Sequence, residues 1–533
     1  MAIILVACIK AFLGFQIQKY IFEFGFSQQA DLRSRLMRSY LRVPYIFHLG
    51  RNSAFLVQIV VVEAERFANA VLMPVLFSFS NFAIIIALVL LLFRTDLVAT
   101  ISILFVVLTL FFFLYTFKDK IAAWGKQGHN SNVEMIRVIN HSLGSLKETR
   151  VIGCEAYFEA QMDEQSQRFK DSLASFHALS LLPRYTLESS LIIFIVSFAI
   201  SYLLSGKSPE ALTATLSVFG VASMRLLPAA SNVMQSLGTI KNASYVVDKL
   251  YLDLRDLESY DKAKKTEVTF EAASEVVSEV AFEASFKDGC RTAVPFLNSI
   301  ALENVRYQYP ETAEASLKSI SLNIKKGESI GLIGKSGAGK TTLVEVILGL
   351  LSPEGGDIKI DGVSVLDDFR SWQQLIGYIP QSIFLIDSSI EENIAFGVPK
   401  AMIDRQRLEK SIRAAQLEEL IERLPKGLET AVGERGVLLS GGQRQRIGIA
   451  RALYHEREVL VLDEATAALD NETEKRVTEA ITSLSGTKTM ILIAHRLTTL
   501  KHCDRIYLME KGRIVKSGSY EEMVLGDYAI APR

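Results

Sequence analysis

The chain has 533 residues, 49% of them hydrophobic, and a mean hydropathy of +0.25. That is long enough for two or three domains and too apolar for an all-soluble protein. Lys and Arg (58) balance Asp and Glu (59) to a net charge of −1, which excludes the basic footprint of a nucleic-acid binder.

Met1–Phe26 opens apolar but carries Lys10, Gln16, Gln18 and Lys19. No basic stretch precedes its apolar part and no small-residue cleavage site follows. It therefore reads as a membrane span with a polar face rather than a signal peptide. Segment 27–66 is basic, with Arg33, Arg35, Arg38, Arg42, Arg51 and Arg66. Leu72–Phe93 and Val98–Phe117 are long apolar runs separated by Arg94, Thr95 and Asp96. Segment 118–186 is basic again, and Glu155–Phe169 within it mixes charge with apolar residues and lacks Pro and Gly, which predicts a helix. Leu187–Leu204 and Leu212–Met234 form a second apolar pair around Ser205-Gly206-Lys207-Ser208-Pro209. Runs of this length cross a bilayer as helices; a buried core helix is the alternative for any one of them, and four together favour spans. The basic segments belong on the cytoplasmic side by the positive-inside rule, which predicts a multi-pass protein of the cytoplasmic membrane.

Two arginines stand out. Arg225 lies mid-span, and Arg184 lies at the entrance of the preceding span. A charge at bilayer depth is costly unless it faces water or a partner, so both read as candidate substrate-path residues. Pairing with Glu188, or snorkelling of Arg184 to the interface, is the alternative. Guanidinium favours phosphate and pyrophosphate, which points to an amphipathic substrate with an anionic head. Residues 255–298 are rich in Glu, Ala, Ser and Val and are assigned no role. The expected division is a membrane domain over 1–250, a linker over 251–299 and a second domain over 300–533. Cys8, Cys154, Cys290 and Cys503 show no paired spacing, which fits a reducing cytoplasm and no cysteine metal site.

The second domain carries phosphate chemistry. Ser329-Ile330-Gly331-Leu332-Ile333 has strand composition. It leads into Gly334-Lys335-Ser336-Gly337-Ala338-Gly339-Lys340-Thr341-Thr342 and then into a helical run from Leu343. Strand, Gly-rich loop and helix make a P-loop. Its backbone N–H groups cradle phosphate oxygens, Lys340 reaches the β- and γ-phosphates, and Thr341 ligates Mg²⁺. Further on, Val459-Leu460-Val461-Leu462 reads as a strand buried on both faces, ending in Asp463 and Glu464. Asp463 is the candidate Mg²⁺ ligand and Glu464 the candidate base that polarises the attacking water; a solvated acidic strand end is the alternative. Between the two, Leu439-Ser440-Gly441-Gly442-Gln443 offers a second anion-binding surface ahead of a helix. One copy cannot close both surfaces on one nucleotide, so the simplest use is a nucleotide clamped between two copies.

With these motifs in this order, residues 300–525 resemble the nucleotide-binding domain of an ATP-binding-cassette (ABC) transporter of the exporter branch. The resemblance implies an α-helical transmembrane bundle followed by a cytoplasmic α/β P-loop NTPase domain. It implies that Tyr309 stacks on adenine, that Gln381 senses Mg²⁺, that Asp470 lies in the loop crossing the dimer interface, and that His495 contacts the γ-phosphate. It makes Ser440, Gly441, Gly442 and Gln443 the signature motif that completes the ATP site of a head-to-tail homodimer. It places short transverse helices near Pro44–Ser53 and Gly144–Gly153. The exporter plan has six spans per half-transporter and five are counted here; the first span and the loop after it are absent from this sequence, which reads as a misassigned start or a fragment. The membrane half also resembles bacterial lipid-linked oligosaccharide flippases in Val43-Pro44-Tyr45, Pro183-Arg184-Tyr185 and Arg225-Leu226-Leu227-Pro228-Ala229-Ala230. That implies a polyprenyl-pyrophosphate sugar or glycolipid as substrate, with lipid A-like lipids, peptides and hydrophobic drugs as alternatives. A soluble cassette ATPase and a non-transporting ATP-binding remnant are the rival classes.

Overall fold

A computed structural model describes residues 1–95, 97–204, 209–265, 296–310, 312–366, 368–464, 471–494 and 497–525. The chain divides into two compact units: Met1–Val43 with Phe47–Phe270, and Pro44–Ile46 with Glu271–Arg533.

The first unit is helical. Its elements are α1 (Ala2–Arg42), α2 (Tyr45–Leu49, of which Tyr45 and Ile46 group with the second unit), α3 (Ser53–Gln58), α4 (Ala64–Phe67), α5 (Met73–Thr95), α6 (Leu97–Tyr115), α7 (Lys118–Gly144), α8 (Leu146–Ile152), α9 (Glu155–Leu204), α10 (Pro209–Asn242) and α11 (Ser244–Lys265). Two π-turns, Ile59–Glu63 and Ala68–Leu72, join α3, α4 and α5. Three stretches among the described residues are long and apolar enough to cross a membrane: Ile4–Arg42, Phe55–Arg94 and Glu155–Ile200. The expected apolar runs fall on α1, α5, α6, α9 and α10, and the two short helices α2 and α8 lie where transverse helices were anticipated.

Exposed Phe79, Ile86, Leu90, Phe93, Phe105 and Phe112 leave the spans with apolar outer surfaces, as a lipid-facing bundle requires. Between helices, Leu92 of α5 packs with Phe219, Ala222 and Leu226 of α10. Pro183 lies inside α9, where the Thr186 hydroxyl donates to the carbonyls of Leu182 (2.7 Å) and Pro183 (3.1 Å). Helix α11 carries regular structure across residue 250 and through the first part of the anticipated linker.

The second unit is α/β. A six-stranded sheet has the order β10-β9-β3-β8-β7-β6. Its strands are β3 (Ser329–Ile333), β6 (Ile376–Ile379), β7 (Val459–Asp463), β8 (Thr489–Ile493), β9 (Arg505–Glu510) and β10 (Arg513–Gly518). All neighbours are parallel except β9 and β10. A smaller antiparallel sheet, β2-β1-β4-β5, joins β1 (Ser299–Tyr307), β2 (Leu317–Lys325), β4 (Gly355–Ile360) and β5 (Val363–Ser364). The residues of β7 alternate between two cores. Val459 and Val461 join one with Leu343 and Val346 of α12 (Lys340–Ile347). Leu460 and Leu462 join another with Ile447 and Ile449 of α13 (Gly441–Tyr454). A central parallel strand buried on both faces needs this unbroken apolar run.

Trp372 is fully buried in the first of these cores, and its Nε1–H donates to the Ile347 carbonyl at 2.5 Å. Trp372→Ala should cost about 3–5 kcal/mol through the cavity. The change would be read as faster hydrogen exchange in β3 and β4. Cys503 is buried, and burial pushes its thiol up to about 12. Maleimide at pH 8 should therefore spare Cys503 until the unit unfolds. The unfolded thiol ionises near its ordinary value of 9.0, so this contribution to stability is full below that pH and falls as pH rises toward 12.

Candidate functional site

The phosphate loop spans the end of β3 and the start of α12, as its sequence demands. Gly334 adopts φ +154°, and a Cβ there would strike the Met509 carbonyl. Gly339 adopts φ +99°, with the Ser316 carbonyl 2.8 Å from where its Cβ would stand. Both positions therefore require glycine. Ala338 is buried, while Lys335, Ser336, Gly337 and Thr341 are exposed and Thr342 is buried. The Lys340 ammonium donates back to the carbonyls of Gly334 (2.8 Å) and Lys335 (3.2 Å). Burial pulls its pKa below the ordinary lysine value, and Glu464 and Asp463 act in the opposite direction. A cation desolvated inside a glycine loop, with carboxylates nearby, is prepared for an anion with several negative charges.

Those carboxylates come from the same edge of the sheet. Asp463 ends β7 and pairs in register with Ile493 of β8, the strand between β7 and β3. Glu464 has φ +48°, and its N–H donates to the Ile493 carbonyl at 3.0 Å. The turn leaves its side chain to accept from Gln381 Nε2 at 2.7 Å. Gln381 follows β6, the neighbour of β7. P-loop, Asp463, Glu464 and Gln381 thus leave the C-terminal ends of adjacent parallel strands, where open α/β sheets place ligands.

Two residues that motif reading passes over belong to this site. Tyr378 of β6 hydrogen-bonds to Asp463, and burial together with that carboxylate pushes its phenol up to about 12. Glu345, on α12 past Thr341, accepts from the Tyr309 hydroxyl at 3.0 Å. Burial raises Glu345 above the usual carboxylate range, as does the charge of Asp463. Tyr309 sits edge-on to Tyr307 with ring centroids 5.0 Å apart, its hydroxyl 3.4 Å from Thr342 Oγ1. Its ring therefore lies beside the phosphate loop. The sequence signal for Tyr378 is its place in the strand three residues ahead of Gln381.

Ser440 caps α13. Its hydroxyl accepts from the Gln443 N–H at 3.3 Å, and the Gln443 side chain accepts from the Ser440 N–H at 2.8 Å. Ser440 and Gly441 are exposed, so the N-terminus of a 14-residue helix faces outward. The described hydrogen bonds of Ser440 and Gln443 stay within this helix start and do not reach the phosphate loop. Asp470 and His495 lie outside the described residues. The oxygen donors Thr341, Asp463 and Gln381 suit a hard cation such as Mg²⁺. In the membrane unit, Arg184 pairs with Glu188 one turn on at 3.1 Å, the local alternative anticipated for it. Arg225 is exposed on α10 and makes no ion pair among the described residues.

Comparison with known proteins covers both units. The ABC transporter family model matches residues 317–467, and the ABC transporter transmembrane region model matches residues 1–226. The ATP-dependent lipid A-core flippase of Chromohalobacter salexigens is 30% identical over 503 residues, covering 94% of this chain and 82% of that protein. The ATP-dependent lipid A-core flippase of Ralstonia nicotianae is 27% identical over 496 residues, covering 93% and 79%. A solved structure of a bacterial Atm1-family ABC exporter with ATP bound superposes with a TM-score of 0.71 at 21% identity, over 95% of this chain and 84% of that one. That last likeness concerns the fold.

Proposed function

Since the chain belongs to the ABC transporter family, as an ATP-hydrolysing half-transporter of the exporter type, we propose that it flips a phosphorylated glycolipid across the cytoplasmic membrane as a homodimer. The names of its relatives favour a lipid A-type lipid, and the Arg184 and Arg225 runs also support a polyprenyl-pyrophosphate sugar. In this reading each ATP lies between Lys340 of one copy and Ser440–Gly442 of the other, the two domains meeting head to tail. The outward-facing start of α13 supports it, because an exposed helix N-terminus flanked by glycines suits a phosphate brought by a second molecule. Thr341, Asp463 and Gln381 would hold Mg²⁺, which neutralises phosphate charge when bound. Glu464 takes the proton of the attacking water while Gln381 fixes its carboxylate. Lys340 exchanges its two backbone carbonyls for phosphate oxygens. Asp470 and His495 are proposed to complete the nucleotide site. ATP binding favours the closed dimer, and closure turns the membrane cavity outward; the differential affinity for that state supplies the direction.

The observation that carries the substrate class is Arg225, a guanidinium exposed on a helix with no other charge between Glu210 and Lys241. Vesicles containing the protein and either lipid A-type lipid, a polyprenyl-pyrophosphate sugar or a neutral glycolipid test it. ATP hydrolysis should rise with a phosphorylated lipid and not with the neutral one, and Arg225→Ala should erase that difference. Equal responses to charged and neutral lipids would rule the reading out.

A further inference from the structure

Helix α11 carries four polar side chains, Tyr245, Lys249, Asp253 and Asp256, at a spacing that lines one face. Each is met by a group from another part of the membrane unit. The Tyr245 hydroxyl accepts from Arg66 Nη1 at 2.5 Å. The Lys249 ammonium lies 3.7 Å from Oε1 of fully buried Glu63. Asp253 accepts from Arg51 Nη1 at 2.7 Å and from the Tyr40 hydroxyl, and Asp256 accepts from Arg51 Nη2 at 3.3 Å. Beside this stripe, Val246, Leu250 and Leu257 pack into the same core as Leu36, Tyr40 and Phe47.

Asp253 is the point where these contacts converge. Its side chain is only 7% exposed. Its two partners stand at the two ends of one connection: Tyr40 closes α1, and Arg51 follows the short helix α2. The Arg51 guanidinium also lies over the Phe47 ring at 4.1 Å, and His48 Nε2 is 3.0 Å from the Tyr40 carbonyl. One carboxylate thus holds both roots of the 41–50 segment to the helix that closes the membrane unit. An exposed pair would contribute little, whereas removing this buried carboxylate leaves the Tyr40 hydroxyl without its acceptor and Arg51 with only the 3.3 Å contact to Asp256.

We propose that Asp253 is a positioning residue for coupling: it makes α2 and α11 move as one body, so that ATP use and substrate movement stay in step. The inference rests on the ATP-driven transport reading above, but not on which lipid is carried. Asp253 lies outside the nucleotide site. In full-length protein in lipid vesicles, Asp253→Asn should therefore keep basal ATP hydrolysis and its KM for ATP near wild type. Hydrogen exchange of backbone 43–52 should quicken about tenfold, and ATP spent per lipid moved should rise by a similar factor. Arg51→Gln should act in the same direction, and the double variant should fall short of the sum of the two single ones, because the two side chains share one contact. Asp253→Glu, which keeps the carboxylate, should recover most of the coupling. Wild-type exchange and coupling in Asp253→Asn, or single effects that simply add in the double variant, would overturn the proposal. If no lipid is moved even by the wild type, the substrate reading fails, while the exchange measurement still decides the role of Asp253.

Discussion

Glu464→Gln should lower ATP turnover about 100- to 1,000-fold while leaving nucleotide affinity within a small factor. The amide has nearly the shape of the carboxylate, so the φ +48° turn and the bond from its N–H to Ile493 are unaffected. What it loses is basicity. It also changes the contact with Gln381, which donates to the carboxylate at 2.7 Å and can pair with an amide through the remaining oxygen. Hydrolysis by the purified variant, together with equilibrium binding of labelled ATP, checks both halves of the statement. The variant should also trap the ATP-bound dimer, visible as a shift in mass. A variant that turns over ATP at the wild-type rate would assign the water-activating role to another group.

Lys340→Ala should act earlier in the cycle, weakening ATP binding and cutting hydrolysis about 100- to 1,000-fold. Lys340 is 7% exposed and its ammonium donates to two carbonyls of its own loop, so the loop wraps closely around it. Removing it leaves the Gly334 and Lys335 carbonyls without that donor and a small void beneath the phosphates. The two variants should therefore differ in kind: Lys340→Ala binds poorly, and Glu464→Gln binds well and stalls. A titration of ATP binding separates them.

Much of this site was legible in the sequence, and the reasons are local. A P-loop is a contiguous motif whose glycines are imposed by backbone geometry, so Gly334 and Gly339 announce themselves. The strand Val459–Asp463 is legible because burial on both faces leaves no polar position until its end. Glu345 carries no sequence signal, because its role arises from the turn of α12 that faces Tyr309, and Tyr378 is marked only by its place ahead of Gln381, its role arising from the pairing of β6 with β7. The face of α11 is present as periodicity, yet it lies across the expected boundary at residue 250, where the composition changes toward that of the linker. The π-turns at Ile59–Glu63 and Ala68–Leu72 leave no composition signal at all.

The sheet of the second unit separates its apolar residues into two cores, one against α12 and the other against α13. The two structures that a nucleotide would engage are consequently supported by different sets of side chains. Damage to one side has no void to share with the other. Leu343→Ala and Ile447→Ala should each cost about 2–5 kcal/mol, and their sum should match the double variant to within about 0.5 kcal/mol. Such thermodynamic independence lets either half be softened or stiffened, by drift or by design, without resetting its neighbour.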